Sequence, residues 1–503
     1  MLQKLNFRGF VCLIAGVLAV TGSVLVSPDS ASATQPPPMT VPMTVPLNEL
    51  PEPYADWDVQ VTPVDGNQQV LHLTFNSPLL GQRITNTVHV PDRYRRTGPQ
   101  TPVMYSLHGT VFSPIDNCAL NQVTGQLTLL RMLACGGGYL QDKLYNVPSQ
   151  LSEMNFMVVS PDTNPQNSIC ETCVWIDGRD DLLPNIHPIT AKTLPTDSFL
   201  HQELYPLVET LFNVRNDRGG RGVIGFSMGG WAALLQGMIH PDKYAYGASV
   251  SGVYDIKEPV IQTTLANPIG YLRDQGYGTS VTHPVWWRQY NPKGIVQNIK
   301  NTDVKLFLSS GNGCVNPLDL LTEEKCQGEY SPTRAPLGLV VESELSLNRM
   351  IAVRDLKSKG IDFQAVQTPG THGANNAEMF AKYVIPGANK KFSSQTTKPE
   401  TFFYKTAIPQ FSIWGYDVAV ERTKPVFLSM SKARTDGRSF TLAGAGSATV
   451  TTPDKFEPGQ TYTVTISSHD GQRSQHSVTA GKQGRVSVNV DLHGDKPVTV
   501  KVR

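Results

Sequence analysis

The chain has 503 residues, of which 40% are hydrophobic and 17% are charged, so it can bury a core and is long enough for more than one domain. Lys and Arg together number 43, Asp and Glu 42, and the net charge is +1. This balance gives no indication of a nucleic-acid partner, which would need a basic face. It also excludes a highly charged, core-poor disordered chain.

The N-terminus has the pattern of an export signal. Lys4 and Arg8 precede the apolar stretch Phe10–Val26, and Ala31-Ser32-Ala33 has the small residues of a cleavage site. We therefore expect residues 1–33 to be a signal peptide. The protein is expected to be secreted or to act in the cell envelope, with peripheral contact with that envelope. No second apolar stretch of this length follows in the sequence, so no other membrane span is expected.

Cysteine usage points to disulfide bonds. Cys12 lies in the predicted signal, and the other cysteines are Cys118, Cys135, Cys170, Cys173, Cys314 and Cys326. In an exported chain an even number indicates disulfides, and pairing of nearest neighbours is our expectation. The alternative for Cys170 and Cys173 is a redox C-x-x-C or half a zinc site. No second close pair of cysteines or histidines stands at zinc spacing, so we expect neither a metal nor a cofactor.

Between the signal and residue 390 the chain reads as a linker followed by an α/β domain. Residues 34–55 form a Pro-rich linker, expected to be extended and mobile over Thr34–Pro46. Strands and helices then alternate over residues 56–390. The predicted strands are Val70–Ser77, Thr87–Val90, Val103–Leu107, Phe156–Ser160, Gly222–Gly225, Tyr246–Ser251, Val304–Ser309 and Asp362–Gln367. The predicted helices are Ser198–Phe212, Gly229–His240, Ser343–Lys359 and Ala377–Ile385, the last stopped by Pro386-Gly387. Such alternation predicts a parallel sheet covered by helices on both faces.

The C-terminal part has a different pattern. After a linker at residues 391–410, residues 411–503 consist of short alternating segments separated by Gly and Asp turns, with no long helical pattern. This predicts an accessory β-sandwich domain. We favour a spacer or stabilising cap as its role, with binding of cell-wall glycan as the alternative.

The most specific motif is Gly225-Phe226-Ser227-Met228-Gly229, which fits G-x-S-x-G. A predicted strand runs into it and a predicted helix leaves it, as in the nucleophile elbow of an α/β-hydrolase fold. The glycines leave room for a tight turn that exposes the serine hydroxyl. A Gly-rich packing turn would not explain the serine at its apex, so Ser227 is the expected nucleophile.

A serine nucleophile needs a histidine base, and three histidines follow Ser227 in this domain. His240 ends the helix of the elbow itself, about 20 Å away at 1.5 Å rise per residue. His283 precedes the predicted Val304 strand. His372 follows the last predicted strand, where a loop at the carboxyl edge of the sheet is expected, and is our candidate base.

The acid and the oxyanion donors are less clearly defined by pattern. Asp319 follows the Val304 strand, the usual place for the acid in this fold, whereas Glu342 immediately precedes a predicted helix whose N-terminal dipole would favour its ionised form. Pattern alone slightly favours Asp319. Two backbone N–H groups are needed for an oxyanion, and the candidates are those of Met228 and Thr110. His108 either assists there or orders the loop, and we favour the second interpretation.

Several motifs occur in the order found in one known family. They are Gly225–Gly230, His240-Pro241, Tyr244–Asp255, Trp287–Pro292, Gly311-Asn312-Gly313 and Thr371-His372. In these segments the chain resembles the antigen 85 trehalose mycolyltransferases and the wider esterase D-like family, over roughly residues 60 to 390. In those mycolyltransferases the acid is a glutamate in a Phe-Leu-Glu-Gly segment, matched here by Val340-Val341-Glu342-Ser343. The resemblance thus implies Glu342 as the acid, ahead of Asp319 and, as a third option, Glu344.

The resemblance also implies an activity. It predicts a serine acyltransferase that moves a long acyl (mycolyl) chain from a lipid or glycolipid ester to a sugar, glycan or protein hydroxyl. The alternatives are a carboxylesterase, in which water accepts the acyl group, and a catalytically inactive envelope-binding protein. Leu107-His108-Gly109-Thr110-Val111 replaces the family's Leu-Asp-Gly-Leu-Arg, and His372-Gly373-Ala374 lacks the tryptophan of its His-Ser-Trp. We therefore do not expect trehalose to be the obligatory acceptor.

Overall fold

The computed structural model describes residues 42–109, 144–162, 175–179, 194–263, 276–327 and 336–503. Within these residues the chain forms a nine-stranded sheet followed by an eight-stranded sheet. In the same residues, none of the helices combines the length and the apolar character needed to span a membrane.

The first sheet is mixed. Its strands are β1 Gln60–Val64, β2 Asn67–Ser77, β3 Gln82–His89, β4 Val103–Leu107, β5 Met157–Ser160, β6 Arg221–Phe226, β7 Tyr246–Val250, β8 Lys305–Gly311 and β9 Phe363–Thr368. Their order is β1-β2-β3-β5-β4-β6-β7-β8-β9. The six strands from β5 to β9 in this order are parallel. The first three pair antiparallel. The α/β prediction is confirmed, with an antiparallel edge and a strand, β1, that were not predicted.

Helices cover both faces of this sheet. The α-helices are α1 Thr196–Ser198, α2 Tyr205–Leu211, α3 Met228–Ile239, α4 Pro259–Ile261, α5 Pro284–Gln289, α6 Pro292–Ile295, α7 Pro317–Thr322, α8 Pro336–Lys359, α9 Asn376–Met379 and α10 Ile385–Phe392. The π-helical turns Phe199–Leu204 and Phe380–Val384 join α1 to α2 and α9 to α10. The neighbours Met104 and Tyr105 on β4 belong to two different core clusters, because successive side chains of a strand point to opposite faces.

Two predicted helix boundaries are wrong. Helix α8 already spans Pro336–Lys359, so it does not begin at Ser343. The Ser343 hydroxyl donates to the Leu339 carbonyl at 2.8 Å inside the helix instead of capping it. The helix ahead of Pro386 also continues through that residue into α10, where Pro386 lies in the first turn. The π-helical turn Phe380–Val384 lies directly before α10, and such a turn breaks the regular i→i−4 hydrogen-bond pattern that proline cannot complete.

The predicted N-terminal linker is partly packed. The Thr44 N–H donates to the Leu211 carbonyl at 2.8 Å, and the Tyr94 hydroxyl donates to the Pro42 carbonyl at 2.8 Å. Two 3₁₀ turns follow, at Leu47–Glu49 and Tyr54–Trp57. The described end of the linker is therefore anchored to the α/β region and is not extended. The rest of it, before residue 42, lies outside the described residues.

The second sheet is antiparallel throughout and confirms the all-β character of the C-terminal region. Its strands are β10 Thr401–Thr406, β11 Gln410–Ile413, β12 Tyr416–Glu421, β13 Leu428–Arg434, β14 Ser439–Thr451, β15 Thr461–Ser467, β16 Arg473–Thr479 and β17 Ser487–Val502. They enclose a separate core that includes Tyr416, Phe440 and Val500. Because β10 lies in the segment predicted as the 391–410 linker, this region begins at Thr401 and not at residue 411.

The two regions are in direct contact. Residues from Val41 to Arg503 form one compact unit. The Tyr404 hydroxyl on β10 donates to the Ile239 carbonyl at the end of α3, at 2.9 Å. Asn298 accepts from the Lys405 N–H at 2.8 Å. Strand β10 therefore fixes the all-β region against the helix that follows Ser227.

One of the expected disulfides is present. Cys314 and Cys326 are bonded, which confirms that nearest-neighbour pair, whereas Cys118, Cys135, Cys170 and Cys173 lie outside the described residues.

Replacing both bonded cysteines with serine should lower the free energy of unfolding by about 3 kcal/mol, the loop-closure contribution of a cross-link of this length. Urea denaturation of oxidised protein measures this. Equal stabilities of the wild type and the double variant would show that the bond does not form in solution.

Candidate active site

The candidate residues meet at one edge of the first sheet. His108-Gly109 follows β4, Ser227 follows β6, Ser251 follows β7, and His372 lies in the loop after β9. Gly311 is the last residue of β8. Because these strands are parallel, all of these positions lie at their carboxyl ends, where α/β proteins place their ligand sites.

Ser227 occupies a strained turn between β6 and α3. Its φ of 57° and ψ of −121° are unfavourable for a residue with a side chain, and its N–H is held by the Val250 carbonyl at 3.0 Å. A Cβ atom on Gly225 would lie 2.0 Å from the Gly229 carbonyl oxygen, and one on Gly229 would lie 2.1 Å from that of Leu107. Both glycines are therefore required by close backbone contacts, and the geometry is that of a nucleophile elbow.

His372 and Glu342 form a buried pair. The His372 Nδ1 atom lies 2.6 Å from Glu342 Oε2, and the two residues are 6% and 0% exposed. The imidazole stacks on Phe226, with ring centroids 4.5 Å apart, and Phe226 immediately precedes Ser227. The carboxylate can thus orient the imidazole and stabilise its positive charge next to the elbow.

The other oxygen of the carboxylate is also fixed. Glu342 Oε1 accepts from the Ser251 hydroxyl at 2.7 Å and from the Gly311 N–H. Glu342 lies inside α8 and not at a helix N-terminus, so these two donors, in place of the expected helix dipole, stabilise its charge. Glu344 is two residues further along α8, and residues two apart do not share a helix face.

Asp319 has a different position from the one predicted for an acid. On α7, its Oδ2 atom accepts from the Asn312 side-chain amide at 2.5 Å. Asn312 Oδ1 in turn accepts from the Gly370 N–H at 3.3 Å, two residues before His372. Asp319 therefore supports the loop that carries His372, whereas Glu342 is the carboxylate placed against the imidazole.

The candidate oxyanion donors are only partly described. Met228 is the first residue of α3 and directly follows Ser227. Thr110 lies outside the described residues. A Cβ atom on the adjacent Gly109 would lie 3.3 Å from the Ser227 Cβ, so the chain passes beside Ser227 at this point.

His108 has the environment of a residue that orders this loop. Its side chain is buried, and its Nδ1 atom lies 2.8 Å from the Gly109 carbonyl oxygen. The ring packs edge-on against Trp175, whose indole N–H donates to the His108 carbonyl at 3.2 Å. Burial lowers the pKa of His108 to about 4, so the ring is neutral near pH 7.

One group among the described residues has the ligand types of a metal site. The nitrogen and oxygen atoms of Asp197, His201 and His240 lie within 4.8 Å of one another. Asp197 Oδ1 accepts from the Gln236 amide at 2.7 Å and lies 3.0 Å from His240 Nε2. His201 Nε2 lies 3.0 Å from Gln236 Oε1. Hydrogen bonds within the group thus explain why these polar side chains lie close together. The group lies at the end of α3 opposite Ser227.

Three residues that the sequence analysis placed in motifs but did not name as site residues contact the pair or its loop. They are Ser251, whose φ of 48° is positive, Gly311 and Asn312. Ser251 follows β7, which pairs with β6, and Gly311 and Asn312 lie at and just after the end of β8, which pairs with β7. Their expected position at the carboxyl edge could have marked them as site residues from the sequence. The interaction with Glu342, however, depends on where α8 packs.

Comparison with known proteins finds similarity to esterases and acyltransferases. The family model described as "Putative esterase" matches residues 157–314. The diacylglycerol acyltransferase/mycolyltransferase Ag85B of Mycobacterium avium is 28% identical over 131 residues, 25% of this chain and 38% of that protein. The esterase Rv1288 of Mycobacterium tuberculosis is 23% identical over 295 residues, 56% of each chain. The matches therefore span about half of these relatives or less.

Solved structures with similar folds include MPT51 (FbpC1) of Mycobacterium tuberculosis. That structure is 14% identical, covers 62% of this chain and 96% of its own, and has a TM-score of 0.42. A ferulic acid esterase is 16% identical, covers 64% and 98% of the two chains, and has a TM-score of 0.40.

The sheet topology and the elbow define an α/β-hydrolase fold, and the chain is similar to esterases. Within that class its relatives are the antigen 85 mycolyltransferases and esterases, at low identity. The resemblance drawn from the motifs is thereby confirmed.

Proposed function

We propose that the protein is a serine acyl-transfer enzyme with Ser227 as nucleophile, His372 as base and Glu342 as acid. The observation that carries the proposal is the 2.6 Å contact between His372 and Glu342 at the sheet edge where Ser227 occupies its strained turn. The substrate is a lipid or glycolipid ester with a long acyl chain of the mycolyl type, and the acceptor is an alcohol.

The reaction follows from the roles of these groups. The Ser227 oxygen attacks the ester carbonyl while His372 Nε2 takes the hydroxyl proton, and the leaving alcohol departs with that proton. The acyl-enzyme is then attacked by the acceptor hydroxyl, which gives its proton to His372. His372 returns it to Ser227 as the new ester leaves. The N–H groups of Met228 and Thr110 stabilise the oxyanion in both halves. Only protein groups act in this cycle, and we propose neither metal nor cofactor.

A carboxylesterase is the second candidate. It differs only in the acceptor, since water replaces the alcohol and free acid is released. Two observations favour it: the similarity to the Mycobacterium tuberculosis esterase, and the presence of His108 and Val111 where the family's sugar-binding loop has aspartate and arginine. In both cases we propose export by residues 1–33 and action in or near the cell envelope.

An acceptor titration distinguishes the two candidates. With a lipid ester as donor, added alcohol should divert acyl groups from free acid to new ester, because an acceptor and water compete for the same acyl-enzyme. The ratio of ester to free acid, measured by mass spectrometry, should rise with acceptor concentration for at least one of trehalose, glucose and envelope glycans. A ratio that stays near zero for all three would leave only the hydrolase. The Ser227→Ala variant, which should form neither product, is the control.

A further inference from the structure

A group of exposed apolar side chains lies on and just before α7, the helix that follows β8. Val315, Leu318 and Leu321 are 61%, 60% and 78% exposed, and Leu320 is 40% exposed. Leu318 and Leu321 are three residues apart on the helix and are therefore neighbours on one face. Single exposed apolar side chains are common, but a group of them indicates an interaction surface.

Helix α7 is oriented with its polar side inward. Asp319 is only 8% exposed. It accepts through Oδ2 from the Asn312 side-chain amide at 2.5 Å and through Oδ1 from that of Asn316 at 3.3 Å. A surface helix of a globular protein usually turns its apolar side to the core. Here the leucines point the other way, so packing of the core does not explain them.

Several contacts fix the backbone that presents these leucines. The disulfide between Cys314 and Cys326 closes the segment that contains α7, and both cysteines are buried. The Gly313 N–H donates to the Gly370 carbonyl at 3.0 Å, and Asn316 caps α7 by accepting from the Leu318 N–H at 3.1 Å. The leucines are thus held outward before any partner binds, which reduces the entropy lost on binding.

Helix α8 extends the exposed group. A Cβ atom on Gly313 would lie 2.1 Å from the Ser343 Oγ and 2.9 Å from the Leu339 carbonyl oxygen, so the start of the α7 segment lies against this turn of α8. Val340, in the same turn, is exposed. Leu347, two turns further along the same side, is exposed as well. We define the apolar surface as Val315, Leu318, Leu320, Leu321 and Val340.

The charges near the apolar surface favour an uncharged partner. Within residues 311–327 and 336–350 the basic residues are Lys325 and Arg349. Lys325 is paired with Glu378, and Arg349 donates to Ser310 and Gln367. The acidic residues of the two segments are more numerous: Asp319, Glu323, Glu324, Glu342 and Glu344. A basic cluster of the kind that attracts anionic lipids is therefore not present in these segments.

The apolar surface adjoins the candidate active site. The Gly311 N–H, at the end of β8, donates to Glu342. Asn312 connects Asp319 on α7 to the Gly370 N–H in the loop that carries His372. Helix α7 therefore belongs to the same edge of the sheet as Ser227, and a partner in contact with α7 would also face that edge.

We propose that the apolar surface docks the protein on an uncharged lipid aggregate, such as a membrane or micelle, that contains the ester substrate. The choice of a lipid surface rests on the proposed function, because esters with long acyl chains collect in aggregates and are scarce as single molecules in water. The leucines of α7 enter the boundary between head groups and acyl chains, as the apolar face of an interfacial helix does. The catalytic edge is thereby held against the lipid.

Co-sedimentation of the mature chain, residues 34–503, with vesicles of phosphatidylcholine tests the proposal. The wild type should bind the vesicles. The double variant Leu318→Gln/Leu321→Gln should have a partition coefficient about 100-fold lower, because burial of each leucine side chain contributes roughly tenfold. Glutamine has a helix propensity close to that of leucine, so α7 should be retained. Turnover of an ester presented in vesicles should fall much more than turnover of a soluble ester.

A matched control changes an exposed apolar residue outside the apolar surface. Val281 is 84% exposed and lies between the polar residues Ser280 and Thr282. Val281→Gln should leave the partition coefficient nearly unchanged. Thermal unfolding of both variants should match that of the wild type, which separates loss of binding from loss of the fold.

Four results would overturn the proposal. The wild type would fail to bind the vesicles, or its binding would survive the double substitution, which would place the lipid contact elsewhere. Binding to phosphatidylglycerol vesicles alone would indicate an electrostatic site. A wild-type dimer in light scattering that the double variant abolishes would assign the apolar surface to a second copy of the chain. Vesicle binding is measured without turnover and should persist in Ser227→Ala, so a failure of the proposed function would leave this result unaffected.

Discussion

Ser227→Ala should lower kcat for a soluble ester such as p-nitrophenyl butyrate by about 10⁶-fold, the loss found when the nucleophile of a triad is removed. In the proposed mechanism the Ser227 hydroxyl is the attacking group, and alanine cannot form the acyl-enzyme. Labelling by a fluorophosphonate probe should disappear together with activity. The backbone of the turn and its contact with the Val250 carbonyl should be retained, because alanine adds no atoms.

A matched control uses a serine remote from the site. Ser393→Ala, at an exposed position after α10, should retain full labelling and activity. Thermal unfolding of both variants should match that of the wild type, which separates loss of the nucleophile from loss of the fold. Undiminished labelling of Ser227→Ala would remove Ser227 from the mechanism.

Glu342→Gln should lower kcat by up to about 10⁴-fold, as in other triads whose acid is neutralised. The reason lies in the two oxygens of the carboxylate. Oε1 faces the N–H of Gly311 and the hydroxyl of Ser251, so the amide oxygen of glutamine will occupy that side. Its NH₂ then faces His372 Nδ1, which must accept a hydrogen bond, and the ring proton moves to Nε2. In that tautomer the imidazole cannot take the serine proton.

Asp319→Asn is the comparison that tests the choice of acid. It should cause a much smaller loss, because it weakens the support that Asp319 gives to Asn312 but leaves the contact between His372 and Glu342 intact. Steady-state kinetics of both variants at neutral pH, with thermal unfolding as a check on folding, measure the ranking. A larger loss for Asp319→Asn would assign the acid to Asp319.

The fold class and the candidate nucleophile are both predictable from local patterns. Alternating strands and helices define an α/β sheet, since backbone periodicity is a local property of the chain. The need for Gly225 is equally local, because a Cβ there would clash with Gly229 in the same turn, whereas Gly229 avoids a clash with Leu107 on the neighbouring strand β4. His372 was identified from its position after the last strand. Helix ends were less predictable, and the misplaced start of α8 removed the electrostatic reason first given for Glu342.

Only the tertiary structure decided which groups meet. Glu342 and His372 are 30 residues apart, and Ser251 is 91 residues from Glu342. These contacts depend on how α8 packs against the carboxyl edge of the sheet. Sequence by itself determined the sheet class, the elbow and the candidate base, because short-range sterics and hydrophobic periodicity set them. Packing between distant segments determined the partner of His372.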